Sequence, residues 1–132
     1  MGIKHIVTDC VPSSVLYSQG IVAGQFIYTS GQIGMNYLTN QLENKTFENE
    51  VIQALENIRL ILKAEKLDLE DVIKITIFIT DIKQFYNLNN IYTKYFPKHK
   101  PARSCVAVNS LALGARVEIE AIAYKGKGSG DI

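Results

Sequence analysis

The chain has no tryptophan, two cysteines, two histidines and three prolines in 132 residues. Cys10 and Cys105 lie far apart and form no CxxC pair, which excludes a disulfide-stapled scaffold and points to a reducing compartment. His5 and His99 have neither an i,i+4 partner nor a neighbouring cysteine, so the common zinc spacings are missing. No Ser-His-Asp order or nucleophile elbow can be traced. No apolar run approaches the ~18–20 residues of a membrane helix. The first residues lack the apolar stretch of a secretion signal, so a cytoplasmic location is expected. Charge of one sign is also lacking: 14 basic residues face 13 acidic ones, for a net of +1. That balance removes the electrostatic reason to expect nucleic acid or an anionic membrane as partner.

What is present is apolar. Hydrophobic residues make up 47% of the chain, enough for a core but within the size of one domain. A single domain is expected over residues 1–125, followed by a flexible tail over 126–132 carrying Gly126-Lys127-Gly128-Ser129-Gly130. That tail has neither the spacing nor the strand–helix context of a phosphate loop.

Strands are predicted near 3–7 and at Phe26–Ser30, where β-branched and aromatic residues are bounded by Gly24 and Gly31. Phe47, Val51, Leu55, Ile58 and Leu62 fall at helical spacing and predict a helix over about 46–65. Glu48 and Glu50 in its first turn and Lys63 and Lys66 near its end suit the helix dipole. From Val72 to Thr80 the alternation is strict, with Ile73, Ile75, Ile77 and Ile79 on one face and Lys74, Thr76, Phe78 and Thr80 on the other. Asp81 is placed to cap a second helix with the stripe Phe85, Leu88, Tyr92 and Phe96, stopped by Pro97. Strands follow at Ser104–Val108 and Val117–Tyr124. The order β-β-α-β-α-β-β predicts an α+β fold whose helices cover the isoleucine face of a mixed sheet. The other face, with Lys74, Thr76 and Phe78, is too apolar for free water and is expected to pack against another copy of the chain.

Two charged residues stand out. Arg103 opens a strand that soon turns apolar, and a partly desolvated guanidinium seeks a planar carboxylate or phosphate. Glu120 shares its strand face with Ile122 and Tyr124, an expensive place for an acid unless it is paired or functional. Spacing alone favours the plainer account, an Arg103–Glu120 ion pair across adjacent strands.

Several blocks resemble the Rid/YjgF family of reactive-intermediate imine deaminases, also called the L-PSP endoribonuclease family. They are Tyr17-Ser18-Gln19-Gly20, Ser30-Gly31-Gln32-Ile33, Gln53-Ala54-Leu55-Glu56-Asn57-Ile58, and Phe85 with Asn89 and Tyr92. Pro101-Ala102-Arg103-Ser104-Cys105 and Val117-Glu118-Ile119-Glu120-Ala121-Ile122-Ala123 complete the set, in order and through nearly the whole chain. The resemblance implies a chorismate-mutase-like fold, a homotrimer with sites between subunits, and hydrolysis of 2-imino acids such as 2-iminobutanoate and 2-iminopropanoate, or their enamine tautomers, to 2-oxo acids and ammonia. No cofactor is implied. Arg103 would grip the substrate carboxylate and Glu120 would hold the attacking water. Tyr17, Ser30, Gly31, Asn89, Ser104 and Cys105 would line the cleft, with Gly31 and Cys105 contributing backbone. A thiolate role for Cys105 has no neighbouring histidine or helix N-terminus to support it. A regulatory trimer that only binds a small carboxylate, a chaperone-like role and the family-linked RNA cleavage stand as alternatives. The last lacks a basic-aromatic stripe here.

The sequence departs from the family pattern where Val15-Leu16 replaces the usual Gly-Pro before the tyrosine and Gly34 replaces a proline. The turn Asn36–Asn40 and the segment Leu111–Gly114 lack further prolines. These changes bear on loop order and substrate preference.

Overall fold

The structure is a computed structural model that describes residues 2–126. All but Gly126 of the tail expected over 126–132 therefore lies outside the described residues. Strands β1 (Ile3–Ile6), β2 (Gly20–Ala23), β3 (Phe26–Thr29), β6 (Val72–Ile79), β7 (Ala102–Ala107) and β8 (Val117–Tyr124) form one sheet. A small pair, β4 (Met35–Asn36) and β5 (Gln41–Leu42), stands beside it, and the helices are α1 (Phe47–Lys63) and α2 (Phe85–Tyr95). The sheet order is β1-β2-β3-β8-β6-β7, antiparallel except for the β6–β7 pair, which α2 connects as a parallel crossover. This is the mixed α+β fold that the alternation predicts.

Helix α1 forms where the apolar stripe runs. Thr46 caps it by accepting the Asn49 amide at 3.0 Å, and Glu48, Glu50 and Lys63 sit at the ends that the dipole favours. Val51, Ala54, Leu55, Ile58, Ile61 and Leu62 are fully buried against Ile75, Ile77, Ile79, Val117, Ile119 and Ala123. Each of the larger side chains contributes roughly 1.5–3 kcal/mol by leaving water.

Four details differ from the sequence reading. The first is β2, which no local pattern predicts: its four residues, starting with a glycine, are held by pairing on both sides rather than by local preference. Next, β6 carries a bulge between Val72 and Lys74, which turns Val72 inward and leaves Ile73 40% exposed. Further along, Asp81 caps a 3-10 turn at Ile82–Gln84 that precedes α2, by accepting the Lys83 amide. Lastly, the strand expected at 104–108 begins at Ala102, in register with Lys74.

The register also separates Arg103 from Glu120. Arg103 pairs with Ile75 on β6, whose side chain faces the helices, whereas Glu120 pairs with Thr76, one residue on and therefore on the opposite face. Strand β6 lies between β7 and β8. The expected Arg103–Glu120 ion pair is thus not formed: the two residues are on non-adjacent strands and opposite sides of the sheet. The face away from the helices carries Phe26, Tyr28, Thr76, Phe78, Ile122 and Tyr124, with Phe26 and Tyr124 in ring contact at 5.3 Å. Among the described residues, Phe26, Tyr28 and Tyr124 on this face stay 37%, 46% and 39% exposed.

Candidate functional site

The predicted site residues fall into two groups. The first surrounds Arg103 on the helix side of β7. Its guanidinium donates to Asn89 Oδ1 at 2.8 Å and lies 4.7 Å from the centre of the Tyr92 ring and 5.5 Å from that of Phe85. Asn89, Tyr92 and Phe85 project from one side of α2, the i, i+4, i+7 pattern that puts them in one stripe. Two aromatic faces and an amide fix the plane of the guanidinium and leave its other N–H groups for a ligand. Among the described residues Arg103 forms no ion pair with an acid. Burial raises the pKa of Tyr92, with the Arg103 charge opposing. Cys105 is half-buried two residues along the same face; burial pushes its thiol up and Arg103 opposes, so the group is a neutral thiol near pH 7. Ser104 points to the other face, where its Oγ accepts from Lys74 Nζ at 2.9 Å.

The second group surrounds Gly31. Ser30 donates its hydroxyl to Ser18 O at 2.5 Å and its amide to Gln19 O at 2.9 Å, fastening the loop that carries Tyr17. Gln19 is buried and staples the preceding segment, accepting the Thr8 amide at 2.7 Å and donating to Thr8 O at 3.0 Å and Val11 O at 3.1 Å. Tyr17 is exposed and, with Gly31, Ile33, Met35 and Leu113, borders a cavity of about 270 Å³. Gln32 is bridged to Ile119 by two backbone hydrogen bonds of 2.7 and 2.9 Å, which brings Gly31 onto β8.

The acid that meets Gly31 is Glu118. Its carboxylate lies so close that any side chain at position 31 would collide with it. Burial, and next the negative charge of Glu120, push the Glu118 carboxyl above the usual carboxylate range. Glu120 is exposed and lines a separate shallow cavity of about 240 Å³ with Tyr28, Lys74, Thr76 and Ile122. Glu118 is not among the site residues expected from the sequence. The available signal was the Glu-x-Glu spacing itself, since acids two apart on a strand share a face and raise one another's pKa. The structure therefore sets Gly31 against Glu118, with Ser30 next in the chain and Tyr17 on the cavity that Gly31 borders, and brings Asn89 and Cys105 together with Arg103, while Ser104 and Glu120 lie on the open face outside both groups of predicted residues.

Among the described residues no group of three or more His, Cys, Asp or Glu is placed to hold a metal ion. His5 meets the Ser18 hydroxyl at 2.7 Å, and His99 meets Val72 O at 2.5 Å. Among the described residues no helix is long and apolar enough to cross a membrane.

Comparison with known proteins points the same way. Residues 9–125 match the family model described as Endoribonuclease L-PSP. A RutC family protein of Pyrococcus horikoshii is 40% identical over 121 residues, 91% of this chain and 96% of that protein. The 2-iminobutanoate/2-iminopropanoate deaminase of Rattus norvegicus is 42% identical over 124 residues, 93% of this chain and 90% of that one. The crystal structure of E. coli TdcF with bound serine superposes with a TM-score of 0.87 at 37% identity, covering 92% of this chain and 98% of TdcF. The fold, the blocks around Gly31 and Arg103, and these likenesses agree, and the chain belongs to the L-PSP endoribonuclease family, also known as YjgF/Rid.

Proposed function

We propose that the protein is a 2-imino acid deaminase, converting imines or enamines such as 2-iminobutanoate and 2-iminopropanoate to 2-oxo acids and ammonia. The observation that carries this reading is Arg103, a guanidinium held flat by Asn89, Tyr92 and Phe85 without an acid of its own among the described residues. Such a group is a receptor for a small carboxylate, bound by two parallel N–H bonds. The deaminase name of the rat relative supplies the substrate class.

The acid is Glu118 in this reading, its carboxyl pKa pushed up by burial and, next, by the negative charge of Glu120. Protonated Glu118 donates to the imine nitrogen, making the carbon more electrophilic. The resulting carboxylate then takes a proton from the attacking water as the C–O bond forms, giving a carbinolamine. Return of that proton to nitrogen, with loss of the hydroxyl proton to the Glu118 carboxylate as the C–N bond breaks and the C=O bond forms, releases ammonia and the 2-oxo acid and leaves Glu118 protonated again. An acid that serves in both directions needs a pKa nearer neutrality than an ordinary glutamate, which is what burial and a like charge produce. No metal is required.

Arg103 and Glu118 face opposite sides of the sheet in one chain, so the reading requires a second copy to bring them to one substrate. A homotrimer whose open sheet faces pack together, with each cleft shared between neighbours, satisfies that requirement and covers Phe26, Tyr28 and Tyr124. Release of 2-oxo acid from freshly generated imine is the assay. We expect Arg103→Ala to raise KM and Glu118→Gln to lower kcat about 10²–10⁴-fold. Equal rates in the parent protein and buffer would sink the proposal. A second reading, a site that binds a small carboxylate without turnover, is favoured by serine in TdcF. It predicts calorimetric binding of 2-oxo acids that Arg103→Ala abolishes, with no product formed.

A further inference from the structure

Glu50 is a fully buried acid in the first turn of α1, outside both groups of site residues. Its carboxylate accepts the main-chain N–H of Arg116 at 2.9 Å and the side-chain Nε of the same residue at 2.5 Å. Arg116 Nη2 continues to Asn44 O at 3.0 Å, so the guanidinium ties three pieces of chain together. Arg116 immediately precedes β8 and stands two residues before Glu118. On its other side, the Glu50 backbone touches Gly34 so closely that a Cβ there would lie 2.7 Å from Glu50 Cα and 2.7 Å from its carbonyl oxygen. Two turns further along α1 the buried Asn57 donates to Ile33 O at 3.3 Å and Met35 O at 2.9 Å, with Gln53 orienting it at 2.9 Å.

We infer that Glu50 and Arg116, assisted by Asn57, form a clamp that fixes the distance between Gly31 and the Glu118 carboxylate. The same helix face holds the start of β8 and the segment that follows Gly31, and the Gln32–Ile119 bridge closes the span between them. A charged pair is an expensive way to fasten a helix to the start of a strand when an apolar contact would serve, and such pairs are best attested where they set a register. Here the register decides whether Glu118 abuts Gly31 or slides past it. Glu50 and Arg116 are positioning residues, since neither faces the cavity beside Tyr17.

The catalytic part of this inference rests on the proposed deaminase reading; the clamp itself does not. Two readouts keep them apart. Hydrogen exchange is followed at the Gln32 and Ile119 amides in the parent, Glu50→Ala and Glu50→Gln, with the β2–β3 amides as internal reference. Glu50→Ala should raise exchange at Gln32 and Ile119 about tenfold or more relative to the reference, and Glu50→Gln, which keeps an acceptor for the Arg116 amide, should restore most of the protection. Unchanged relative protection in Glu50→Ala would overturn the clamp, whatever the enzyme does. In the imine assay, corrected for folded fraction from denaturant curves, Glu50→Ala should lower kcat at least about tenfold with KM within about twofold, because a small misplacement of the acid costs chemistry and not carboxylate binding. Loss carried by KM, or no loss per folded molecule, would overturn the positioning role. A parent with no turnover would reject the deaminase reading and leave the exchange result to judge the clamp. Should Glu50→Ala not fold, Glu50→Gln carries both tests with the same signs: a measurable rise in exchange at Gln32 and Ile119 and a fall in kcat at constant KM, either one absent counting against it.

Discussion

Gly31 and Gly34 are both hemmed in, but by different things, and a methyl group distinguishes them. At Gly31 the obstacle is the carboxylate and Cγ of Glu118, a side chain that can rotate. Moving Glu118 off its preferred rotamer costs about 1 kcal/mol. Alanine returns about 0.4–1 kcal/mol by restricting the unfolded chain. Gly31→Ala should therefore be close to neutral in stability. At Gly34 the obstacle is the backbone of Glu50 inside α1, with Cα and carbonyl oxygen both at 2.7 Å and the carbonyl carbon at 3.1 Å. A helix backbone cannot step aside without disturbing its packing, so Gly34→Ala belongs at the upper end of overpacking costs, about 3 kcal/mol.

Activity should reverse the order of severity. Gly31→Ala displaces the carboxylate by about the size of a methyl group, and an error near 1 Å in a reacting group costs about 100-fold. Thermal unfolding and imine hydrolysis measured on both variants give the test. Gly34→Ala should lose about 10 °C in Tm, at roughly 4 °C per kcal/mol for a domain of this size. Gly31→Ala should keep its Tm within a few degrees and lose its turnover. A Gly31→Ala variant as unstable as Gly34→Ala would mean that Glu118 is held rigidly. Full activity in Gly31→Ala would mean that the acid meeting Gly31 takes no part, and Glu120 would regain the role.

Arg103→Lys keeps the charge but loses the planar fork and its stacking on Tyr92, so KM for an imino acid should rise about tenfold or more while kcat holds, as read from initial rates. Because the folded state raises the Glu118 carboxyl above its unfolded value, folding favours its protonated form, and the ionised group costs stability at higher pH. Stability should fall as pH rises through the raised pKa; Glu118→Gln should be more stable than the parent at pH 7 and no more stable well below the ordinary carboxylate range, as denaturant midpoints will show. Opposite pH behaviour would contradict a desolvated acid. Cys10 is exposed whereas burial raises the Cys105 pKa, so iodoacetamide at pH 8 should label Cys10 first, as mass spectrometry of peptides will show.

Legibility of the sequence followed the range of the interactions. The α1 stripe Phe47, Val51, Leu55, Ile58, Leu62 is buried throughout, because helix amphipathicity is written within two turns. The alternation of 72–80 also held from Ile75 onward, but the bulge at Ile73 did not appear in it. That bulge comes from pairing with β8, some 50 residues away, and no local period encodes it. The same reason separates Arg103 from Glu120: each lies on the strand expected, yet their relation depends on β6 being inserted between the two strands. Glu118 and Glu120 have the same alternation and the same kind of neighbours. Only the crossing of the 31–33 segment over Ile119 decides which of them is desolvated.

The uncompensated charges make a single pattern. Among the described residues neither Arg103 nor Glu118 nor Glu120 forms an ion pair, although Arg116, Glu50, Glu65 and Asp68 all do. A chain that pairs Glu50, Glu65 and Asp68 with cations has left Arg103 and Glu118 on opposite faces of one sheet, where they cannot neutralise each other. Local consistency usually breaks at a site of function, where instability is retained for a ligand. A 2-imino acid has a carboxylate for the arginine and a basic nitrogen for the acid, so one molecule answers both charges. The sheet between them forbids that within one chain. Two copies meeting through the aromatic open face would remove the obstacle, and the apolar Val15 and Leu16 beside Tyr17, 102% and 85% exposed, would gain cover in the same step. The substitution of Val15-Leu16 for a stiff Gly-Pro turn then has a physical reading. A loop that lacks its own rigidity can be ordered by burial against a neighbour, and Tyr17 would be positioned by assembly.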